Sequence, residues 1–109
     1  MAHVETFTNL DLPNLKQFVQ QIVADSTGRQ EATVMSTVNK LDYFKFGIFE
    51  TGMYIQISYV GNEDEYRTQR VLQYIVEKLY QKYSISKLSI YVTFTVIDRN
   101  NVYINGEMI

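Results

Sequence analysis

Cysteine and tryptophan are absent from this 109-residue chain, and proline and histidine occur once each, as Pro13 and His3. The lack of cysteine excludes disulfides, thiolate nucleophiles and thiolate metal sites. A single histidine cannot build a histidine-rich metal centre within one chain, so no metal and no cofactor is expected. No stretch approaches the roughly 20 apolar residues that a bilayer span requires. No basic-then-apolar leader opens the chain, so the expectation is a cytoplasmic protein, or one that leaves the cell without a leader. A basic stripe is missing too: 10 Lys and Arg face 12 Asp and Glu, for a net charge of −2. Neither nucleic acid nor a membrane surface is an expected partner.

What is present is ordinary globular composition, 46% apolar and 20% charged, at a length that allows a single domain over 1–109. Nine tyrosines and six phenylalanines stand out. They suit half-buried strands, and equally an aromatic interface or pocket.

His3 to Asn9 reads as a first strand. Asp11 is placed to cap a helix whose first turn tolerates Pro13. Leu15, Phe18, Val19 and Ile22 recur at helical spacing, and Gly28 is a natural left-handed stop, which predicts a helix at about 12–27. Ala32 to Asn39 is a second strand. Lys40 to Gly52 is irregular, with a short strand suggested by Phe44, Phe46, Ile48 and Phe49. Met53 to Val60 is a third strand. Asn62 can cap the helix that follows, with Glu65 closing a capping box. Val71, Leu72, Ile75 and Leu79 form its buried face. Leu88 to Val96 alternates as a half-buried strand. Val102 to Ile104 is a short last strand before a turn at Asn105-Gly106.

Two segments resemble each other. Val19-Gln20-Gln21-Ile22-Val23 lines up with Leu72-Gln73-Tyr74-Ile75-Val76. Downstream, Val34, Thr37 and Val38 line up with Val92, Thr95 and Val96. A strand, helix and strand occurring twice predicts two β-α-β units packed together, because one alone cannot cover its sheet.

Specific residues then become comparable. The first strand ends in Thr8-Asn9 and the first helix in Thr27-Gly28-Arg29. Phe46-Gly47 follows the second strand, and Tyr59-Val60-Gly61 precedes the second helix. Ile85-Ser86 leads into Ile90-Tyr91-Val92-Thr93-Phe94, and Asn101-Val102 follows. In order and spacing this set resembles the macrophage migration inhibitory factor branch of the tautomerase superfamily, over the whole chain. The resemblance implies an α/β (α+β) fold in which two β-α-β pseudo-repeats form a four-stranded mixed sheet with both helices on one face. It also implies a homotrimer, with short strands near Phe46–Phe49 and Val102–Ile104 extending a neighbour's sheet.

The same resemblance implies chemistry. Tautomerases of the family use an N-terminal proline as general base for keto–enol isomerisation of substrates such as phenylpyruvate. Burial and a nearby cation lower the pKa of such an amine towards neutrality. Here Ala2 stands in the proline's place, so the activity is expected to be weak or lost. With Met1 removed Ala2 offers a primary amine; with Met1 kept its nitrogen is an amide. Arg29 stands where the family's lysine holds the substrate carboxylate, and as a helix C-terminal cation it is equally explained by the dipole. Val60 could donate its backbone N–H. Tyr91 matches a pocket tyrosine supplied by a neighbouring subunit, or is a plain outward strand residue. Thr93 replaces a pocket asparagine and Thr33 a tyrosine. Ile104 and Ile109 stand where aromatic residues are frequent. A Cys-x-x-Cys redox pair would fall at Met53 and Gln56, so thiol oxidoreductase activity is excluded.

The expected role is thus cytokine-like or small-carboxylate binding, through a ligand or a protein receptor. Two competitors share part of the element order. One is a small acidic chaperone or phage assembly protein. The other is a double-stranded-RNA-binding domain over 12–82, against which the acidic run Glu63-Asp64-Glu65 counts.

Overall fold

The computed structural model describes residues 1–61, 65–104 and 106–108. Its regular elements are β1 (Ala2–Thr8), α1 (Leu15–Thr27), β2 (Val34–Lys40), β3 (Met53–Val60), α2 (Glu65–Tyr83), β4 (Ile90–Ile97), β5 (Tyr103–Ile104) and β6 (Glu107–Met108). Strand order in the main sheet is β2-β1-β3-β4. β1 runs parallel to β2 and β3 parallel to β4, while β1 and β3 are antiparallel at the centre. This is an α+β fold of two β-α-β units with a mixed sheet, as the resemblance implies.

Alternation decides which face is covered. Ala2, Val4, Thr6 and Thr8 of β1 and Met53, Ile55, Ile57 and Tyr59 of β3 are all buried, with their odd-even neighbours more open. Onto that face α1 lays Leu15, Val19, Ile22 and Val23, and α2 lays Val71, Ile75 and Leu79. Burial of each such side chain stabilises by about 1.5–3 kcal/mol, so this layer carries the core. Among the described residues no helix lies on the opposite face.

The duplication is visible in the backbone, in a different register from the one the residues suggested. Gly28 and Ser84 end the two helices with φ of 70° and 57°. Their N–H groups bond back to the carbonyls of Ala24 and Tyr80. Thr33 and Ser89 each return backbone and hydroxyl bonds to the carbonyls of Gln30 and Ser86. Val34 and Ile90 then open the parallel strands. All these pairs are 56 positions apart, and so are Leu15/Val71, Val19/Ile75 and Val23/Leu79 in the core. The sequence match of Val19 with Leu72 slips by three residues and that of Val34 with Val92 by two. Both slips nearly keep the face, three on a helix and two on a strand, so apolar residues still met apolar residues.

Other boundaries moved for identifiable reasons. α1 starts at Leu15 rather than near 12, with Asn14 at φ 58° and no side-chain cap. Asp11 pairs instead with the Lys40 ammonium, and the Pro13 carbonyl accepts a bond from the Tyr83 hydroxyl at 2.8 Å. Ala32 and Leu88 lie not in strands but in one-turn 3₁₀ segments, Glu31–Thr33 and Lys87–Ser89, and Leu88 is 74% exposed. Leu72 is only half-buried. Phe46 and Phe49 form one isolated bridge around Gly47, not a strand of the sheet. β5 pairs with β6 across the turn at Gly106, while Asn105, the other residue of the expected turn, lies outside the described residues. The Asn62 cap and its capping box, together with Ile109, lie outside the described residues. The RNA-binding element order is overturned, because only two strands separate the helices and β2 and β3 are not neighbours.

Candidate functional site

Ala2 opens β1 with its side chain buried, paired to Val34 on one side and Tyr59 on the other. The ladder continues one residue further, because the Val60 N–H donates to the Met1 carbonyl at 2.9 Å. The donor that sequence reasoning assigned to a ligand is therefore engaged while Met1 is in place. A cavity of about 450 Å³ opens over the uncovered sheet face at this end, lined by Met1, Ala2, Thr33, Val60, Ile97 and Ile104 among others. Ile104 reaches it from β5, so the short tail roofs the cavity.

Electrostatics at this end favour a neutral amine. The Met1 amino group is held below its ordinary value of 8.0, first by partial burial and then by the guanidinium charges of Arg29 and Arg99. Arg99 sits in the 3₁₀ turn Arg99–Asn101 just beyond β4, whose last residue, Ile97, pairs with Val60. Arg29 follows the Gly28 stop of α1. Its Nε and Nη2 donate to the Tyr59 hydroxyl at 3.1 and 2.7 Å, and Nη2 also approaches the Val60 carbonyl at 3.4 Å. Arg29 stands beside the cavity rather than among its lining residues.

Tyr91 and Thr93 are not brought to this place. Ile97 lies six positions beyond Tyr91 along β4, roughly 20 Å at about 3.3 Å per residue. Tyr91, 51% exposed, belongs to an aromatic strip across the uncovered face. In that strip Phe7 stacks on Tyr54 at 5.8 Å, Tyr54 meets Tyr91 at 5.2 Å, and Tyr91 meets Phe46 edge-on at 6.1 Å. Thr93 lies half-buried beside Gln56. Of the residues singled out from the sequence, one chain assembles Ala2, Val60 and Ile104 around the cavity, with Arg29 alongside. It leaves Tyr91 towards the far end of β4 and Thr93 midway along it.

Sequence reasoning missed Tyr59 and Arg99. Tyr59 entered only as part of Tyr59-Val60-Gly61 ahead of the second helix, and Arg99 was not singled out. The available signal for Tyr59 was its place in that motif. His3 lines the same cavity, and its Nε2 is buried without a hydrogen-bond partner, 3.7 Å from a Glu5 carboxylate oxygen. A wider groove of about 900 Å³ runs along the outer side of α2 between Arg70 and Lys87 and holds none of the candidate residues. Among the described residues no cluster of acidic or histidine side chains could hold a metal. No helix among them is long and apolar enough to cross a membrane.

The fold is that of the macrophage migration inhibitory factor and tautomerase proteins. The macrophage migration inhibitory factor of Trichinella spiralis superposes with a TM-score of 0.86 at 16% identity, over 98% of this chain and 99% of that one. The factor of Toxoplasma gondii gives 0.81 at 15% identity, over 98% and 99%. Pt0534, inactivated by 2-oxo-3-pentynoate, gives 0.81 at 13% identity, over 97% and 94%. The sequence matches no protein-family model and no curated protein.

Proposed function

We propose that this chain is a protein of the macrophage migration inhibitory factor type that assembles as a homotrimer. In this reading its cleft at the start of β1 binds a small carboxylate, and its keto–enol tautomerase activity is weak or lost. The observation that carries the reading is the state of the β1 terminus. Ala2 stands where the resembling family has its proline, so that proline's secondary amine is missing whether or not Met1 is kept; with Met1 in place the Ala2 nitrogen is an amide and the Met1 carbonyl takes the Val60 N–H. With Met1 removed, only a primary amine would stand there. Near the cleft the guanidinium charges of Arg29 and Arg99 still suit a carboxylate.

The separation of Tyr91 from Ala2 supports the trimer. In the tautomerase arrangement that tyrosine serves a neighbour's cleft, and β2 and β4 end the sheet with edges, unpaired among the described residues, that a neighbour's short strands would cover. A role as a cytokine-like binder of a protein receptor belongs to the same reading.

The test is phenylpyruvate turnover, with intact mass recording whether Met1 is present and light scattering recording the assembly. Turnover within tenfold of a proline-bearing relative refutes the loss of activity. A monomer or dimer in solution refutes the trimer. Replacing Ala2→Pro, with Met1 removed, should raise the rate; no gain would mean that the cleft itself has ceased to be competent.

A further inference from the structure

Tyr59 is buried to 3% exposure, yet its hydroxyl is the acceptor for two N–H groups of Arg29. The ring is held from the other side by Phe94, stacked at 5.7 Å with a 30° interplanar angle. The Arg29 guanidinium carbon lies 4.8 Å from the Tyr59 ring centre. Gly61 closes the arrangement. A Cβ there would stand 3.1 Å from Tyr59 Cε1 and 3.5 Å from Arg29 Nη2, and its φ of +144° is one that side-chain-bearing residues rarely adopt. Phe94, Tyr59, Arg29 and Gly61 thus form one packed unit drawn from β4, β3, the turn after α1 and the turn after β3.

This unit decides which edge of the guanidinium a ligand can meet. The side-on edge, Nε with Nη2, is turned onto a buried hydroxyl, and the second Nη2 hydrogen faces the Val60 carbonyl. Only Nη1 has no hydrogen-bond partner among the described residues. We infer that Tyr59 is a positioning residue for the carboxylate site. Its hydroxyl fixes Arg29 in one conformation, so that an incoming carboxylate meets the remaining Nη1 end with the side-chain ordering already done. The inference rests on the reading of Arg29 as the carboxylate-binding cation and adds how that cation is aimed.

An unrestrained arginine must lose rotamer freedom on binding, a cost of about 0.5–1.5 kcal/mol for a side chain of this kind. The Tyr59→Phe variant keeps the ring and its stacking on Phe94 and removes only the hydroxyl. Calorimetric titration with phenylpyruvate is expected to show a Kd raised about two- to tenfold by Tyr59→Phe. It is expected to show binding nearly abolished by Arg29→Ala, and no further loss when Tyr59→Phe is added to Arg29→Ala. A merely structural tyrosine would lower thermal stability in both backgrounds and leave the Kd of the folded protein unchanged.

Gly61→Ala gives an independent arm, since its Cβ would press on the Tyr59 ring that holds Arg29, and it should weaken binding in the same way. An unchanged Kd in Tyr59→Phe, or an equal loss with and without Arg29, overturns the positioning role alone. Undiminished binding in Arg29→Ala, or none by the unaltered protein, overturns the carboxylate reading of the site and this inference with it.

Discussion

Gly52 joins the two halves of the sheet to the loop that carries Phe46, and replacing it should be costly out of proportion to one methyl group. Its carbonyl accepts the Thr8 hydroxyl at 2.6 Å and its N–H donates to the Asn9 side-chain oxygen at 3.3 Å. A Cβ built there lies well inside contact distance of the Ser89 carbonyl oxygen, and 2.6 Å from Phe44 Cε1. The Phe44 ring can swing away. The Ser89 oxygen cannot, because it sits in the 3₁₀ turn that opens β4, where Ile90 is registered against Met53. Relieving the overlap means moving the start of one strand against another. Overpacking of this sort costs about 1–3 kcal/mol. Losing the buried Thr8 bond adds about 1 kcal/mol. Gly52→Ala should therefore destabilise by about 2–4 kcal/mol, a large part of the 5–15 kcal/mol that a domain of this size typically holds. Urea unfolding measures it, with Gly47→Ala as the control. Gly47 has φ of 60° but nothing within 4 Å of a built Cβ. Its replacement should cost about 1 kcal/mol from backbone conformation alone. A Gly52→Ala variant no less stable than Gly47→Ala would refute the claim that this junction is sterically closed.

Two further outcomes follow from polar groups in unusual surroundings. The Thr6 hydroxyl is fully buried in β1 without a hydrogen-bond partner among the described residues, so Thr6→Val should stabilise by about 1 kcal/mol in chemical denaturation. Burial pushes the Tyr83 phenol above 10.0, so the folded protein keeps that proton longer than the unfolded chain does. Stability due to Tyr83 should be whole below pH 10 and fall as pH climbs from there through the raised value, and Tyr83→Phe should flatten that part of the alkaline unfolding curve.

Much of this fold could be read from residues because its strands alternate and its helices carry apolar side chains at regular spacing. Met53 to Val60 was bounded without error, and Gly28 marked the end of α1 because no other residue there takes a left-handed conformation without strain. Three features resisted. Glu31–Thr33 and Lys87–Ser89 look like strand starts, since a single 3₁₀ turn has no periodicity of its own. The delayed start of α1 depends on Lys40 and Tyr83, which are remote in sequence and hold residues 11–13 away from the helix. The repeat register was hidden because a shift of two on a strand preserves the inward face. Capping geometry and returned hydrogen bonds, not residue identity, are what align the halves at 56 positions.

The site was legible only as far as the resemblance reached, and the reason is geometric. A site formed where β1, β3 and β4 end side by side draws on residues whose numbers share no spacing: Met1, Arg29, Tyr59, Val60, Arg99. No local pattern can expose such a set, whereas a helix face or a strand face exposes itself. Arg29 illustrates the consequence. The resemblance suggested a cation that takes a carboxylate, yet the side-on edge suited to a two-pronged grip is already held by Tyr59. In the proposed reading a ligand at this cleft meets Nη1 of Arg29, with the Arg99 guanidinium as the other charge nearby. In the proposed trimer the remaining contacts must come from elsewhere. Tyr91 and its aromatic neighbours lie about a strand's length away, on a face that no helix among the described residues covers. The cleft of one subunit and the aromatic strip of another are then parts of one site, and a chain held as a monomer should bind phenylpyruvate more weakly than the assembled protein.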